Sequence, residues 1–492
     1  MLAMQRNLSK VFYMLLSLPA TAMGFALSVQ ISALSWILTT QYGLDIHQVG
    51  LVWAAGPIAG ILGQVIVGII SDNVWLWNGR RRPFILVGGT LAALMLLALP
   101  NIDIVSTTLG MSGLLGVAIT VALTLDLSIN LGFNPTRAII ADVTPAGEER
   151  TKGYTWMQTI SGSFGVLAYA IGAYWGNYVL IYFGAALVFL LSIIAPFFIK
   201  EPKELTACEQ PRAENDLEIN NHAINKKSVC FSEVMLNIKP LWGFIIYDIY
   251  AMALQLSGIK TDHYWAEILA GMITLFFVLQ TLLTKELVTK DLSHNKAEAG
   301  LIGFRKILAA HSFSWIGVQT MFVFIFAFLQ DKLPNVSNDD LGKIIATSFL
   351  ILSAVSAILP ALVLEPLAKR IGRVKTHTYC LATMALGYAL VVLFGANTQL
   401  LYLLMALLGI GWSAIISLPF AIMSEKVEQS RMGLYMGLFN LSVVLPQLLV
   451  SLGIGLFINK VADKSLIFEV CAISLAISAI AWMLVEEKSK SD

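Results

Sequence analysis

Long apolar segments recur along the whole chain and are separated by short polar stretches. An apolar run of more than about 18 residues is long enough to cross a bilayer as a helix. The predicted spans are 11–39, 47–71, 83–101, 108–141, 153–176 and 178–199, then 239–258 and 264–285, and then 306–330, 341–366, 376–395, 398–423, 430–458 and 465–485. This pattern predicts an all-α polytopic membrane protein with about fourteen spans.

The spacing of these spans predicts two six-helix bundles with an extra two-helix hairpin between them. The N-terminal bundle is expected at 1–200 and the C-terminal bundle at 306–492. Residues 201–238 contain two prolines, five Asn residues and one Asp, a composition typical of a flexible cytoplasmic linker. The extra transmembrane hairpin is expected at 239–285, and 286–305 fits either a cytoplasmic linker or a surface helix.

The distribution of basic residues predicts the orientation of the chain, because Lys and Arg collect in cytoplasmic loops. One set of loops carries repeated Lys and Arg clusters, whereas the alternate loops hold only Lys260, Lys332, Lys460 and Lys464. Both termini are therefore expected in the cytoplasm. A hairpin with an even number of spans keeps the second bundle in the same orientation. Short loops and this charge bias favour a plasma membrane of the bacterial inner-membrane type.

Composition excludes several other classes of protein. Hydrophobic residues make up 57% of the chain and charged residues only 13%, against about 25% charged in soluble proteins. A net charge of +1 gives no indication of nucleic-acid binding. The four cysteines lack metal-binding spacing, and no phosphate-binding loop, dinucleotide fingerprint or nucleophile elbow occurs. Neither an enzyme nor a metal or organic cofactor is expected.

The stretch LDLSINLGFNPTRAIIAD at 125–142 places polar groups inside an apolar span, namely Asp126, Asn130, Asn134 and Arg137. At 3.6 residues per turn these positions share one helix face, provided that Pro135 kinks the helix rather than breaking it. A charge at bilayer depth is costly unless it faces a bundle interior or a wet cavity. The face is therefore expected to line a cavity, with Asp126 as its titratable group and Arg137 as its permanent charge.

These properties predict that Asp126 is a proton-coupling residue, with the proton as coupling ion. Burial disfavours the charged form of a carboxyl, and a nearby guanidinium favours it. A conformational change that alters either effect would couple protonation to access. The alternative interpretation is a permanent structural contact between Asp126 and Arg137.

The loop after the second span predicts a cytoplasmic gate. Asp72 lies at the end of that span, and Gly79 permits a tight turn before Arg80, Arg81 and Arg82. Arginines can pair with a carboxylate and with the last carbonyls of a helix. The loop therefore fits a salt-bridge latch, although a basic loop that merely follows the charge bias and a phosphate site are alternatives. A second basic loop at 367–373 repeats part of this pattern without the acid.

Taken together, these segments resemble the sucrose-transporter family, a branch of the glycoside–pentoside–hexuronide symporters within the major facilitator superfamily. SDNVWLWNGRRRPFI is similar to the signature of that family, and LDLSINLGFNPTRAIIAD and GFALSVQISALSWILTTQYGLD are similar to its fourth and first helices. Matching positions in the second, tenth and eleventh helices include Trp53, Gly56, Pro57, Gln64, Gly68, Gly409, Pro419, Asn440 and Gln447. The resemblance covers most of the chain except 200–310.

The resemblance implies a major facilitator fold and proton-coupled import of a sugar by alternating access. A disaccharide or glucoside, such as sucrose or maltose, is the implied substrate. Asp126 is the implied protonation site, Arg137 the residue that holds sugar or adjusts that acid, and Asp142 a member of the gate. The hairpin 239–285 departs from the family, and SFSWIGVQTMFVFIFAFLQDKL lacks the acid of its seventh helix. A carrier or exporter of another small polar solute, or a non-transporting membrane sensor, is the alternative.

Polar and aromatic side chains within the spans are candidates for substrate contact, because sugars have apolar C–H faces and many hydroxyls. The predicted substrate-binding residues are Gln30, Trp53, Gln64, Asn130, Asn134, Arg137, Gln158, Gln319, Asn440 and Gln447. Trp36, Trp315 and Trp412 are further candidates, with core packing as the competing interpretation for each. The expected partners are a small-molecule sugar and the lipid bilayer, with no nucleic acid, and a monomer is expected to function.

Overall fold

The computed structural model describes residues 3–60, 67, 70, 74–110, 113–144, 148–201, 231–257, 264–285, 293–427 and 432–487. Nearly all of them lie in helices. Within these ranges the only extended pairing is an isolated bridge between Leu76 and Gly79. The prediction of an all-α membrane protein is therefore confirmed.

The main helices follow one another along the chain, and short helices at Ala3–Arg6, Ile102–Leu109 and Glu365–Ile371 lie between or before them. The main helices before the predicted linker are α1 Lys10–Thr40, α2 Ile46–Trp53, α3 Arg82–Ala98, α4 Leu114–Val143, α5 Glu148–Trp175 and α6 Asn177–Phe198. Two helices form a hairpin, α7 Trp242–Ser257 and α8 Trp265–Leu283. The remainder are α9 Ser293–Lys332, α10 Asn338–Leu359, α11 Arg373–Phe394, α12 Thr398–Ser424, α13 Met432–Leu449 and α14 Leu466–Trp482. After α13 the chain stays helical through Val450–Ile454 and Gly455–Lys460.

Among the described residues, ten helices are long and apolar enough to cross a membrane. The fourteen-span arrangement with a spanning hairpin therefore stays a prediction. Most of the predicted linker 201–238 lies outside the described residues, which include Glu201 and the short helix Phe231–Asn237. Residues 293–305, for which linker and surface helix were both open, form the first part of α9.

Each half packs around a central apolar helix. In the N-terminal half, α1 packs against α4, α5 and α6, and in the C-terminal half, α9 packs against α13 and α14. Four phenylalanines of α9 are fully buried, Phe304, Phe324, Phe326 and Phe328. Small residues bring membrane helices close together, and a Cβ on Gly89 of α3 would lie 2.1 Å from the Ser192 side chain of α6. Close packing thus holds each half together.

The two halves meet at one end of the bundle. We name the end where α1 begins the terminal side, at which Gln5 Nε2 donates to the Lys200 carbonyl at 2.7 Å, and the other end the opposite side. On the opposite side, Trp36 Nε1 donates to the Asn338 carbonyl at 2.7 Å. Ser35 Oγ donates to the Val323 carbonyl at 2.8 Å. These bonds join α1 to α10 and α9, so the halves are closed against each other on the opposite side.

The side chains of Tyr42 and Lys332 fix the loops on the opposite side. The Tyr42 hydroxyl donates to the Leu99 carbonyl and accepts from the Ile102 N–H, each at 2.9 Å. Burial raises the pKa of Tyr42 to about 12, against the smaller opposing effect of the Ile102 N–H, so the hydroxyl keeps its proton. Lys332 Nζ donates to Asp463 Oδ1 at 2.7 Å, and this hydrogen bond lowers the pKa of Asp463 to about 2.

Gly342 of α10 is predicted to be essential for this closure. A Cβ at Gly342 would lie 2.7 Å from Asn177 Nδ2 and 3.0 Å from Trp36 Nε1, both in the N-terminal half. Overpacking would destabilise the closed arrangement by about 1–3 kcal/mol. A change of about 1.4 kcal/mol shifts the equilibrium between the closed and open arrangements tenfold. We expect Gly342→Val to open the opposite side and to raise thiol labelling of Tyr169→Cys about tenfold, in a background whose native cysteines are replaced by serine.

Gly116→Val serves as the control, because a Cβ at Gly116 would meet nothing within 4 Å. The control should label Tyr169→Cys at the parental rate. Equal labelling in Gly342→Val and Gly116→Val would contradict the assignment of this interface as the closure.

Candidate functional site

The carboxyl of Asp126 lies buried inside the N-terminal half. Helix α4 runs through Pro135 without a break from Leu114 to Val143, as the shared-face interpretation requires. Asp126 is 4% exposed, and Gln30 Nε2 of α1 donates to its Oδ2 at 3.0 Å. A Cβ on Gly56 would lie 3.5 Å from the same oxygen, so bare backbone of the second span faces the acid. The sequence proposed Gln30 as a substrate contact, whereas the structure engages it with the acid.

Arg137 is separated from Asp126. Eleven residues of helix rise about 16 Å, and the Arg137 guanidinium carbon instead lies 4.9 Å from the centre of the Phe133 ring. This is a cation–π contact. The side chain of Arg137 is exposed, whereas that of Asp126 is buried. The alternative interpretation of a permanent contact between Asp126 and Arg137 is therefore wrong. The Arg137 guanidinium lies at the exposed surface of α4.

The remaining polar positions of the N-terminal half fall into three groups. Asn130 is half-buried, and its Nδ2 donates to the Asp126 backbone carbonyl at 2.8 Å. Gln158 of α5 is exposed. The Asn134 side chain and the residues Gln64 and Asp72 lie outside the described part of the structure. The structure thus brings Asn130 next to the acid and leaves Gln158 accessible.

Trp53 acts in the closure between the halves. It is buried, and its indole N–H donates to Ser35 Oγ at 2.8 Å. Ser35 in turn donates to the Val323 carbonyl of α9. The chain Trp53–Ser35–Val323 therefore links α2, α1 and α9. The aromatic face that the sequence offered for substrate is used here for helix packing.

In the C-terminal half the predicted amides come together. Gln447 Nε2 of α13 donates to Gln319 Oε1 of α9 at 3.2 Å. Gln319 is buried, whereas Gln447 and Asn440 on the same helix are half-buried. These residues form a polar patch in the C-terminal half, in the arrangement that the seven-residue spacing of Asn440 and Gln447 suggested.

A row of aromatic rings crosses from the C-terminal half to the N-terminal half. Trp315 contacts Trp412 edge to face at 5.9 Å between ring centres, and Trp412 contacts Phe322 at 5.4 Å. Phe322 then contacts Phe349 at 5.5 Å, and Phe349 contacts Tyr169 of α5 at 5.8 Å. Trp315 and Trp412 are half-buried. The sequence missed the three other rings, because isolated aromatic residues in apolar spans look like ordinary core positions.

The predicted gate loop is held by two acids. Arg81 Nε donates to Asp142 Oδ2 at 3.0 Å, and these side chains are only 7% and 11% exposed. The Glu201 carboxylate accepts the backbone N–H groups of Arg80, Arg81 and Arg82 at 2.7–2.8 Å. This carboxylate caps the start of α3, where the helix dipole favours a negative charge. The sequence missed Glu201, which lies 119 residues beyond Arg82.

The C-terminal half repeats this arrangement. Arg373, at the start of α11, pairs with Glu425 after the end of α12. Glu487 accepts the backbone N–H groups of Arg373 at 2.7 Å and Val374 at 3.2 Å. The second basic loop is therefore also bound by two acids, Glu425 and Glu487, which are distant from it in the sequence. Each gate-like cluster joins helices within one half.

The Major Facilitator Superfamily matches this chain over residues 16–443 and 307–492. The chain belongs to the Major Facilitator Superfamily.

Sequence relatives of this facilitator are named as sugar carriers. Sucrose transport protein SUC4 of Arabidopsis thaliana is 23% identical over 460 residues, which cover 89% of this chain and 82% of that protein. The general alpha-glucoside permease of Schizosaccharomyces pombe is 33% identical over 136 residues, 26% of this chain and 24% of that protein. The predicted resemblance to sucrose transporters is confirmed.

Solved structures show the same fold for this facilitator. The nucleoside transporter NupG aligns with a TM-score of 0.60 at 13% identity, covering 97% of this chain and 100% of that chain. The POT family transporter PepTSo aligns with a TM-score of 0.64 at 13% identity, covering 96% and 97%. The matching proteins are transporters, so the prediction of a membrane transporter rather than an enzyme is confirmed.

Proposed function

We propose that this facilitator is a proton-coupled symporter that imports a disaccharide or glucoside, such as sucrose or maltose. The observation that carries the proposal is the Asp126 carboxyl, buried between α1, the second span and α4 with Gln30 as its donor. Buried acids in membrane spans mark substrate and proton pathways. The named activities of the sucrose and alpha-glucoside relatives support a sugar as the solute. The proton is the only coupling agent, and no cofactor takes part.

We infer that transport proceeds by alternating access of the two halves. The halves are closed on the opposite side through Trp36 and Ser35. Arg137 and Gln158, in the parts of α4 and α5 nearer the terminal side, are accessible. We therefore assign the conformation as open toward the terminal side. With both termini in the cytoplasm, as the loop charges predict, this is the inward-open state that releases sugar into the cell.

The sugar site is proposed between the halves near the midplane, as in other transporters built from two similar halves. On one side Asn130, Arg137 and Gln158 offer donors and acceptors for hydroxyls. On the other side stand the half-buried faces of Trp315 and Trp412. Proton loss from Asp126 changes its bond with Gln30, and this change links the acid to α1, which carries the closing contacts.

The membrane arrangement is part of the same proposal. We propose two bundles of six spans with α7 and α8 as a spanning hairpin, fourteen in all, and the order of the helices along the chain supports this arrangement. The predicted gate residues Asp72, Arg80, Arg81, Arg82 and Asp142 then face the cytoplasm. A plasma membrane of the bacterial inner-membrane type and function as a monomer complete the proposal.

Trp412→Ala is expected to weaken sugar binding. Loss of the indole face removes an apolar surface for the sugar ring and should raise the half-saturating sugar concentration about tenfold, equivalent to about 1.4 kcal/mol. Uptake rates over a range of sugar concentrations would measure this. Trp265→Ala is the control, because Trp265 is 75% exposed at the start of α8, and it should leave the concentration dependence unchanged. An unaltered value in Trp412→Ala would remove that residue from the site.

Sugar-induced proton uptake by the purified protein in liposomes tests the function as a whole. Sucrose, maltose, trehalose, glucose and aryl glucosides would each be added to vesicles with a pH electrode outside. External alkalinisation with one of these sugars is the expected result. If none of these sugars changes the external pH, the substrate is another small polar solute.

A further inference from the structure

A cavity lies between the α7–α8 hairpin and the C-terminal half, apart from the proposed sugar site. Its volume is about 1260 Å³. One wall comes from α7 and α8, the other from α14 and from the helical segments that follow α13, and the start of α2 closes one end. Its lining does not include Asp126, Arg137 or Gln319. The cavity is therefore a feature of the hairpin, which the proposed transport mechanism does not use.

Hydrocarbon side chains line most of the length of this cavity. On α8 the lining positions recur every three or four residues and so share one face, Gly271, Leu275, Val278 and Leu282. Ile477, Ile480 and Leu484 of α14 contribute to the facing wall. The hydroxyl groups of a sugar or of a row of water molecules would lack hydrogen-bond partners against these walls, at a cost of about 1–3 kcal/mol for each group. The walls suit acyl chains.

Charged groups of both signs collect at the opposite-side end. Lys460 Nζ donates to the Tyr264 hydroxyl at 2.8 Å. Glu267, in the first turn of α8, lines the cavity, and its Oε2 is buried without a hydrogen-bond partner among the described residues. The ammonium group of Lys460 and the carboxylates of Glu267 and Asp45, which precedes α2, thus line the same end of a largely apolar cavity. This pattern is complementary to a headgroup that carries a phosphate and an amine.

We propose that the cavity binds one zwitterionic phospholipid of the ethanolamine type from the surrounding bilayer. The phosphate lies at Lys460 and Tyr264, the ammonium lies at Glu267, and the acyl chains run between α8 and α14. An anionic lipid would leave Glu267 without a cation and add a negative charge beside it. An empty cavity would forfeit the dispersion contacts of its walls. The lipid therefore completes the packing of the hairpin against the C-terminal half.

Lipid retention tests this assignment. The full chain would be reconstituted in vesicles of equal parts dioleoyl-phosphatidylethanolamine and dioleoyl-phosphatidylglycerol, extracted in mild detergent and weighed by native mass spectrometry. One phosphatidylethanolamine per chain, retained in about tenfold preference over phosphatidylglycerol, is the expected result and corresponds to about 1.4 kcal/mol. Preferential retention of phosphatidylglycerol, or no retention of either lipid, would overturn the proposal.

Two substitutions that fill the cavity sharpen the test. A Cβ on Gly271 would meet nothing within 4 Å, so Gly271→Trp is expected to occupy the cavity and to lower lipid retention about tenfold. Met272→Trp is the matched control, because Met272 is 62% exposed and does not line the cavity. Ile480→Trp fills the cavity from the other wall and provides the same test if Gly271→Trp does not fold. Full retention in a folded cavity-filling variant would overturn the site.

Glu267→Gln tests the headgroup separately. Removal of the carboxylate charge is expected to abolish the preference for phosphatidylethanolamine while a lipid is still retained. An unchanged preference in this variant would overturn the assignment of Glu267 as the ammonium contact. None of these substitutions alters a residue of the proposed transport site.

Discussion

Asp126→Asn is expected to reduce proton-driven sugar accumulation to the level of protein-free vesicles. Asparagine has nearly the same shape and can still meet Gln30, whose Nε2 donates to Asp126 Oδ2 at 3.0 Å. It cannot take up or release a proton in the physiological range. Sugar exchange between the two sides needs no net proton movement, so counterflow of labelled sugar should continue. The pair of measurements separates loss of coupling from loss of binding.

Asp248→Asn provides the matched control for this variant. Asp248 of α7 is likewise 4% exposed, and neither of its carboxyl oxygens has a hydrogen-bond partner among the described residues. Both substitutions therefore remove a buried acid from a membrane helix, but only Asp126 lies within the N-terminal half of the proposed carrier. Uphill uptake should survive in Asp248→Asn. Undiminished accumulation in Asp126→Asn would refute the role of Asp126 as the coupling residue.

The fold was largely predictable because apolar length is a local property of the sequence. Runs of apolar residues predicted the helices directly, whereas the continuous course of α4 through Pro135 was assumed for the shared polar face and is seen only in the structure. The start of α9 was harder, since 293–305 is too polar for a span and yet continues the same helix. Helix ends depend on capping and packing as well as on hydropathy.

The candidate site was predictable only in part. A polar group in an apolar span signals a function without revealing its partner. Gln30 was correctly picked as a polar residue of interest, but only packing in three dimensions places it against Asp126. Similarly, Arg81 was predicted to bind an acid, whereas Glu201 is brought to its loop by the end of α6. Contacts across 96 residues, as for Gln30 and Asp126, or 120 residues, as for Arg81 and Glu201, have no local pattern in one sequence.

The two basic clusters allow a direct comparison of a buried ion pair with an exposed one. In the Arg81–Asp142 pair the side chains are 7% and 11% exposed, whereas in the Arg373–Glu425 pair they are 42% and 45% exposed. Removal of one partner from a buried pair costs about 3–5 kcal/mol, because the other charge stays desolvated. An exposed pair contributes about 0–1 kcal/mol, because water replaces the lost partner. The same substitution should therefore have very different effects in the two halves.

Arg81→Met is accordingly expected to lower the free energy of unfolding by about 3–5 kcal/mol, and Arg373→Met by no more than about 1 kcal/mol. Both changes remove a guanidinium and keep a long side chain, so the contrast isolates the effect of burial. Unfolding in mixed micelles with increasing dodecyl sulfate would measure both variants. Adding Asp142→Leu to Arg81→Met should recover much of the loss, since an apolar pair leaves no charge buried. Equal destabilisation by Arg81→Met and Arg373→Met would show that burial does not set the strength of the first pair.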